Sequence, residues 1–406
     1  MRNVVFVAPY LLEATTRFVD AIASLPDVRL GLVSQDGRET IRPGLLSALA
    51  AHERVADALD PAQIEAGARA CAQRLGGLDR LVGTLEQLQV PLASARGALG
   101  LPGLSVEAAR NFREKSRMKD VLRAHGLPVA RHALARAAAD AFAFAQEVGY
   151  PLVVKPPEGA GAKATFRVDD DASLREATAL FRPGPDAPLL VEEFVTGEEH
   201  SLDAANLGKR TIWSSVSLYL PAPLDVLRNP WIQWCVLRPK EQDDPRWDAI
   251  RDVGTRALAA LGMDTGVSHM EWFRRRDGSP CISEVGARPP GAQFCTLLSH
   301  AYDVDFYRAW ARLVVFDEFD PPSPRYAAGA AYLRGQGTGR VRAIRGLDEA
   351  QKEMGELVVE ARLPREGQAP SGGYEGEGYV ILRHPDTAVV ERALRRLVSI
   401  VRVEMA

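Results

Sequence analysis

Cysteine is scarce and scattered. Cys71, Cys235, Cys281 and Cys295 are the only four and form no CxxC pair, which excludes a ribbon-type zinc site and a disulfide framework and fits a reducing cytoplasm. No apolar stretch approaches the ~20 residues that span a bilayer. The short apolar run in MRNVVFVAPYLLEATTRF meets polar and acidic residues too early to form a signal-peptide core. A formal net charge of -3 leaves no broad basic surface, so neither nucleic acid nor an anionic membrane is expected as a partner. A small anionic ligand stays open through a local site. GxxxxGK[ST] is also missing, and Pro9-Tyr10 stands where a GxGxxG would follow the first strand-like segment, so neither of those glycine-loop nucleotide motifs is present.

What is there is an ordinary globular composition, 46% hydrophobic and 25% charged over 406 residues, which is enough for about two or three domains with sizeable cores. Residues 1–110 alternate strand-like and helix-like pieces: Asn3 to Ala8, Thr15 to Ser24, Val28 to Ser34, then Arg80 to Leu85. That alternation predicts a parallel α/β domain. One amphipathic helix is expected from Asn111 through His125, stopped by Gly126 and Pro128. It opens a stretch, 111–190, that reads as a small lobe: helix Ala137 to Val148, strand Leu152 to Val154, strand Thr165 to Val168 and helix Ser173 to Phe181. A larger unit over 191–320 and its continuation over 321–406 complete the expected division. These include helices over 245–262 and Ala301 to Val315, strands Ala328 to Leu333 and Gly378 to Leu382, and a final helix from Asp386.

The most informative segment is GVSHMEWFRRRDGSPCISEVGARPPG. Counting outward from a two-residue turn at Asp277-Gly278 pairs Phe273 with Ile282, Trp272 with Ser283 and Glu271 with Glu284. Like charges directly opposed on one sheet face destabilise it, so a cation between them is expected. Mg²⁺ takes one or two carboxylates together with substrate phosphates, which points to a nucleotide-phosphate site. The plain alternative is a solvated edge hairpin whose acids are neutralised by Arg274, Arg275 and Arg276.

Two further segments carry chemistry. Lys155 ends the apolar strand YPLVVK and is followed by PPEGAGAKAT. Gly159 and Gly161 let backbone N–H groups approach anionic oxygens, and Lys155 and Lys163 add charge; a snorkelling lysine beside an ordinary turn is the alternative. LLVEEFVTGEEHSLDAA begins as a strand. Thr196 with Glu199 fits a helix capping box, but Ser201-Leu202-Asp203 alternates like another strand.

Taken in order, Lys115, VVKPPEGAGAKAT, VEEFVTGEEHSLD, HMEWF and SEVGARPPG resemble the ATP-grasp superfamily, in its carboxylate-amine ligase branch, over nearly the whole chain. The resemblance implies an α/β fold with an α+β lid: an N-terminal parallel α/β domain, a small lid lobe and a larger C-terminal domain, with ATP between the last two. It implies ATP and Mg²⁺ as cofactors, with Mn²⁺ as the alternative ion, and small-molecule carboxylate and amine substrates. Family habit favours a homodimer.

The resemblance also assigns roles. Lys115 and Lys155 resemble the phosphate-site lysines, and Glu158, Gly159, Gly161 and Lys163 the loop over the triphosphate. Glu192 resembles the acceptor from the adenine amino group, with Glu193, Phe194 and Val195 supplying backbone contacts. Glu199 matches the ribose ligand, Glu271 and Glu284 the metal pair, and Arg288 the catalytic arginine. Where carboxylase-like members carry E-x-N-x-R, Gly286 replaces the Asn; this form resembles amino-acid ligases more than biotin carboxylase. A bicarbonate-using enzyme and a catalytically silent nucleotide-binding protein are the rivals. His269 shares the parity of Glu271 and is either in the site or a hydrogen-bonded structural residue. Gly335 to Gly339 reads as a turn, and Trp213, Trp231 and Trp234 as core aromatics.

Overall fold

The computed structural model describes residues 1–157, 165–229, 232–371, 373 and 375–406. Its first sheet is parallel, with strand order Ala51–Arg54, Val28–Ser34, Arg2–Ala8, Arg80–Val82. Val4 to Ala8 are fully buried, as befits a parallel strand covered by helices on both faces. The edge strand AHER was not expected, because it is short, polar and shows no alternation. The chain order reverses between Arg2–Ala8 and Arg80–Val82. Ligand sites of open α/β sheets lie beyond the strand C-termini at such a point.

The helix expected over Asn111 to His125 is two helices, Val106–Arg113 and Lys115–Ala124, broken at Glu114, whose backbone is extended (φ -92°, ψ 101°). The break makes Lys115 the first residue of its helix, with its N–H donated to Pro157 O at 3.1 Å. Phe112, Met118 and Leu122 pack into the core of the large domain, so this pair of helices belongs structurally with that domain.

The small lobe is an antiparallel sheet in the order His132–Ala135, Leu189–Glu193, Leu152–Lys155, Phe166–Val168. Helices Ala138–Val148 and Asp171–Phe181 cover it, contributing Phe144, Leu174 and Ala177 to its own core. Strand Leu189–Glu193 sits inside this sheet, across the expected 190/191 boundary.

Eight strands form the large sheet, in the order Pro280–Gly286, Gly266–Arg274, Glu198–Leu207, Arg210–Leu220, Trp234–Arg238, Ala327–Leu333, Gly378–His384, Val358–Arg362. The segment after 320 therefore continues the same sheet. Glu199 lies within a strand, which removes the capping-box alternative. The helix expected over Ala301 to Val315 is again two, Phe294–Tyr302 and Phe306–Phe316. Asp303 leaves the first in a left-handed conformation (φ 57°), and Asp305 caps the second by accepting from Arg308 N at 2.9 Å. Gly335–Gln336 and Val341–Arg345 are strands flanking Arg402–Met405, so the glycine-rich stretch between them does not lead into a helix.

Candidate active site

Strand Gly266–Arg274 alternates as a half-buried strand should. Met270 and Trp272 face the core with Leu202, Trp247 and Leu258, while His269, Glu271 and Phe273 line the other side. Glu271 does lie opposite Glu284, but not by the simple count. Gly278 N donates to Arg275 O at 2.9 Å and Gly278 sits at φ 82°, giving a three-residue loop closed by a left-handed glycine in place of the two-residue turn. Trp272 therefore pairs with Ile282 and Phe273 with Cys281. A bulge between Glu271 and Trp272 then restores the pairing of the two acids. The bulge is used: the carbonyl of Ser283 accepts from Lys119 Nζ at 2.9 Å.

Around the two carboxylates the sequence gathers three lysines. Lys115 Nζ lies 2.9 Å from Glu284 Oε1. Lys119, one helical turn later and on the same face, is 1% exposed and 3.4 Å from Glu192 Oε1. Lys155, brought in by the lobe strand, is 3.0 Å from Glu192 Oε2. Each charge is tuned by its neighbours. Burial raises the Glu271 carboxyl above the usual carboxylate range and Glu284 adds to the effect. Glu284 moves the other way, because Lys115 and Lys155 outweigh its burial and hold it low. Burial, then Glu271, pushes Glu199 well above the usual range. Lys119 is lowered by burial, whereas Lys155 is raised against its burial by Glu192 and Glu284.

These groups line one cavity of about 740 Å³ between the lobe, the large sheet and the N-terminal domain. Thr165, Glu193, Phe194, Val195 and Glu199 also line it, as do Glu86, Arg288, Gly291 and Phe294. Residues 120–302 match the family model for the ATP-grasp domain. Over its whole length the chain superposes on the L-amino acid ligase from Bacillus licheniformis, with a TM-score of 0.80, 21% identity and 99% of that chain covered. The chain carries a match to the ATP-grasp domain over residues 120–302 and shares its fold with that ligase. Among curated proteins it is 28% identical over 311 residues to an uncharacterized Sinorhizobium fredii protein, y4rH, spanning 74% of this chain and 62% of that one. It is 22% identical over 249 residues to the L-arginine-specific L-amino acid ligase of Bacillus subtilis, spanning 60% of this chain and 59% of that protein. The matched stretches thus span less than two thirds of either relative.

Several residues of the cavity differ from expectation. Glu192 does not present a free carboxylate; Lys119 and Lys155 hold both of its oxygens. Glu193 uses its side chain on Arg131, at 2.7 Å from Nε. The N–H groups of Glu193 and Phe194 donate to Arg131 O and Pro151 O. Glu158, Gly159, Gly161 and Lys163 lie outside the described residues, as does Trp231. Trp213 is core, donating to Pro322 O, but Trp234 lines the cavity while stacked on Tyr332 at 4.7 Å.

His269 is both structural and in the site. Nδ1 is 2.6 Å from Asp203 Oδ1, and Nε2 lies 3.3 Å from Tyr219 OH and 4.0 Å from Glu271 Oε1. Asp203 is fully buried on Arg238, which with His269 outweighs its desolvation and keeps its carboxyl low.

Sequence reasoning missed Lys119, Asp203 and Glu86. Glu86 follows strand Arg80–Val82 at the reversal of strand order and pairs with Arg288 Nε. Only Lys119 had a local signal, its spacing from Lys115.

The Glu192 arrangement makes a testable statement about stability. Burial would raise its carboxyl, but Lys119 and Lys155 overcome this and hold it at about 2, against 4.5 when free. The unfolded chain therefore takes up this proton first. The stabilisation, on the order of 3 kcal/mol, is present above about pH 4.5 and is lost as pH falls towards about 2. Glu192→Gln leaves two lysines buried without their anion and should cost about 3–5 kcal/mol. Urea unfolding of both proteins at neutral pH checks this, and equal midpoints would show the pair to be idle.

Proposed function

We propose that the protein is an ATP-dependent carboxylate–amine ligase: ATP phosphorylates a substrate carboxylate, and an amine displaces phosphate from the resulting acyl phosphate. The products are an amide, ADP and phosphate. The observation that carries this reading is the opposed pair Glu271 and Glu284, set in one cavity with Lys115, Lys155 and Arg288. A carboxylate is a poor electrophile, and the phosphoryl group supplies it with a leaving group. Fixed positive charge aimed where phosphate charge gathers then does most of the catalytic work, with no protein nucleophile required.

Glu271 and Glu284 fit a divalent cation, because the two carboxylates are opposed and Glu271 is raised by burial and further by the charge of Glu284. Among the described residues no group of three or more His, Cys, Asp or Glu side chains converges on a metal, so the remaining oxygens would come from phosphates and water, as is usual for Mg²⁺. When bound, the ion would neutralise charge on the phosphates. Lys155 is oriented by Glu192 and reaches the cavity from the lobe, and Lys115 does so from the body; both are read as phosphate ligands. Glu199 is assigned to the ribose hydroxyls and Val195 to the adenine edge. Glu192 is reassigned from adenine acceptor to the residue that orients Lys155 and Lys119.

Because the terminal phosphoryl group is the one transferred, turnover should release ADP. Chromatography of the nucleotide products, with MgATP and a panel of amino acids singly and in pairs, tests this. Stoichiometric AMP and pyrophosphate would refute the acyl-phosphate route.

A further inference from the structure

A second cavity, of about 190 Å³, lies between the N-terminal domain and the large domain. Among the described residues none lines both cavities: Ala287 and Pro289 line this one, and Arg288, between them, lines the active cavity. The N-terminal domain contributes strand Arg80–Val82 and Arg96, in the last turn of helix Gln89–Leu99. Arg96 carries five N–H donors in a fixed fork, and its Nε donates to Leu81 O at 2.7 Å. Among the described residues its Nη groups meet no acceptor and no carboxylate. Burial, with no acid to oppose it, lowers the guanidinium below the usual arginine range, to about 10. Arg334, also lowered by burial, is the contrast: its Nη1 donates to Val226 O at 2.7 Å and to Ile232 O at 2.8 Å. A cation withdrawn from water is costly unless an anion meets it, and the donors of Arg96 are left for an occupant of the cavity.

The other charges restrict what that occupant is. Arg80 Nη2 is taken by Asp317 Oδ2 at 2.6 Å, and Asp317 and Asp264 both line the cavity. A polyanion would meet these two acids with one cation free to answer it, whereas a single carboxylate matches the fork of Arg96 oxygen for nitrogen. Leu104, Met263, Val267, Trp310 and Val314 give the cavity apolar surface as well. A cavity of about 150 Å³ holds benzene, so this one takes a body of that size with a small charged head.

We infer that this cavity is a second ligand site, separate from the active cavity, for a small apolar monocarboxylate whose oxygens accept from the Nη groups of Arg96. The inference stands apart from the ligase reading, because no residue of the active cavity takes part in it.

Calorimetric titration of the full-length protein tests this with three probes: benzoate, its neutral analogue benzamide, and inorganic phosphate. Charge-assisted hydrogen bonds to Arg96 should make benzoate bind about 10- to 100-fold more tightly than benzamide, and phosphate should bind more weakly than benzoate. Arg96→Met keeps much of the stem and removes the donors, so the preference for benzoate should vanish. Val314→Trp leaves Arg96 in place and fills the cavity, so it should abolish benzoate binding by a different route; it also serves if the Met variant does not fold. Benzoate binding no more tightly than benzamide to the wild-type protein overturns the inference. Phosphate binding as tightly as benzoate overturns the carboxylate class. A preference for benzoate that survives in either folded variant places the probe elsewhere and overturns the site.

Discussion

Glu284→Gln is expected to abolish turnover while the protein stays folded. In the wild-type chain two carboxylates face one another across the hairpin, with Lys115 Nζ 2.9 Å from Glu284 Oε1. The glutamine variant relieves their repulsion, which offsets the loss of charge opposite Lys115, so the ligand-free melting temperature should move little. The function of the second negative charge is then exposed by ligand. MgATP should raise the melting temperature of the wild-type protein and fail to do so for the variant, and kcat should fall by about 10²-fold or more. Wild-type activity at limiting Mg²⁺ would remove both acids from the metal site.

Arg288→Lys separates binding from chemistry. A planar guanidinium holds two oxygens in a fixed fork, whereas an ammonium offers one rotating point charge. In this cavity Arg288 also spans Glu86 and the carbonyl of Pro289, so lysine cannot keep those partners and address a ligand as well. The variant should retain most of its calorimetric affinity for MgATP while kcat for amide formation falls by about 10²-fold. Weakened MgATP binding with kcat intact at saturation would make Arg288 a ground-state ligand.

Local patterns located some elements, and the family resemblance supplied the architecture. Three of the four lobe strands were marked by apolar runs or alternation, and periodicity placed helices Glu13–Ala23, Ala138–Val148, Asp171–Phe181, Asp248–Leu261 and Thr387–Ile400 to within a few residues, while helices Pro61–Leu75 and Gln89–Leu99 went unread. What failed was local conformation that no pattern encodes. Nothing in NFREKSRMK announces that Glu114 turns extended and restarts the helix at Lys115. The pairing of Glu271 with Glu284 came out of the count only because a longer loop and a bulge at Ser283 shift the register in opposite senses. Near a recognisable motif, the residues that line the cavity were legible: Lys115, Lys155, Glu199, Glu271, Glu284 and Arg288. Those recruited across the fold were not: Glu86 reaches Arg288 and Asp203 reaches His269 through contacts that exist only after packing, and Glu192, which the resemblance assigned to the adenine amino group, is enclosed by Lys119 from a different element.

That enclosure has a mechanical side. Lys119 is fixed to the body of the molecule by its bond to Ser283, while Glu192 and Lys155 are carried by the antiparallel lobe. The Lys119–Glu192 contact is therefore an anchor point between two bodies, reinforced nearby where Lys115 N meets Pro157 O. A lobe that swings without tearing out a buried ion pair has to rotate about this corner. Any rotation about this corner would carry Lys155, which is bonded to Glu192 beside it, less far than the edge strand Phe166–Val168.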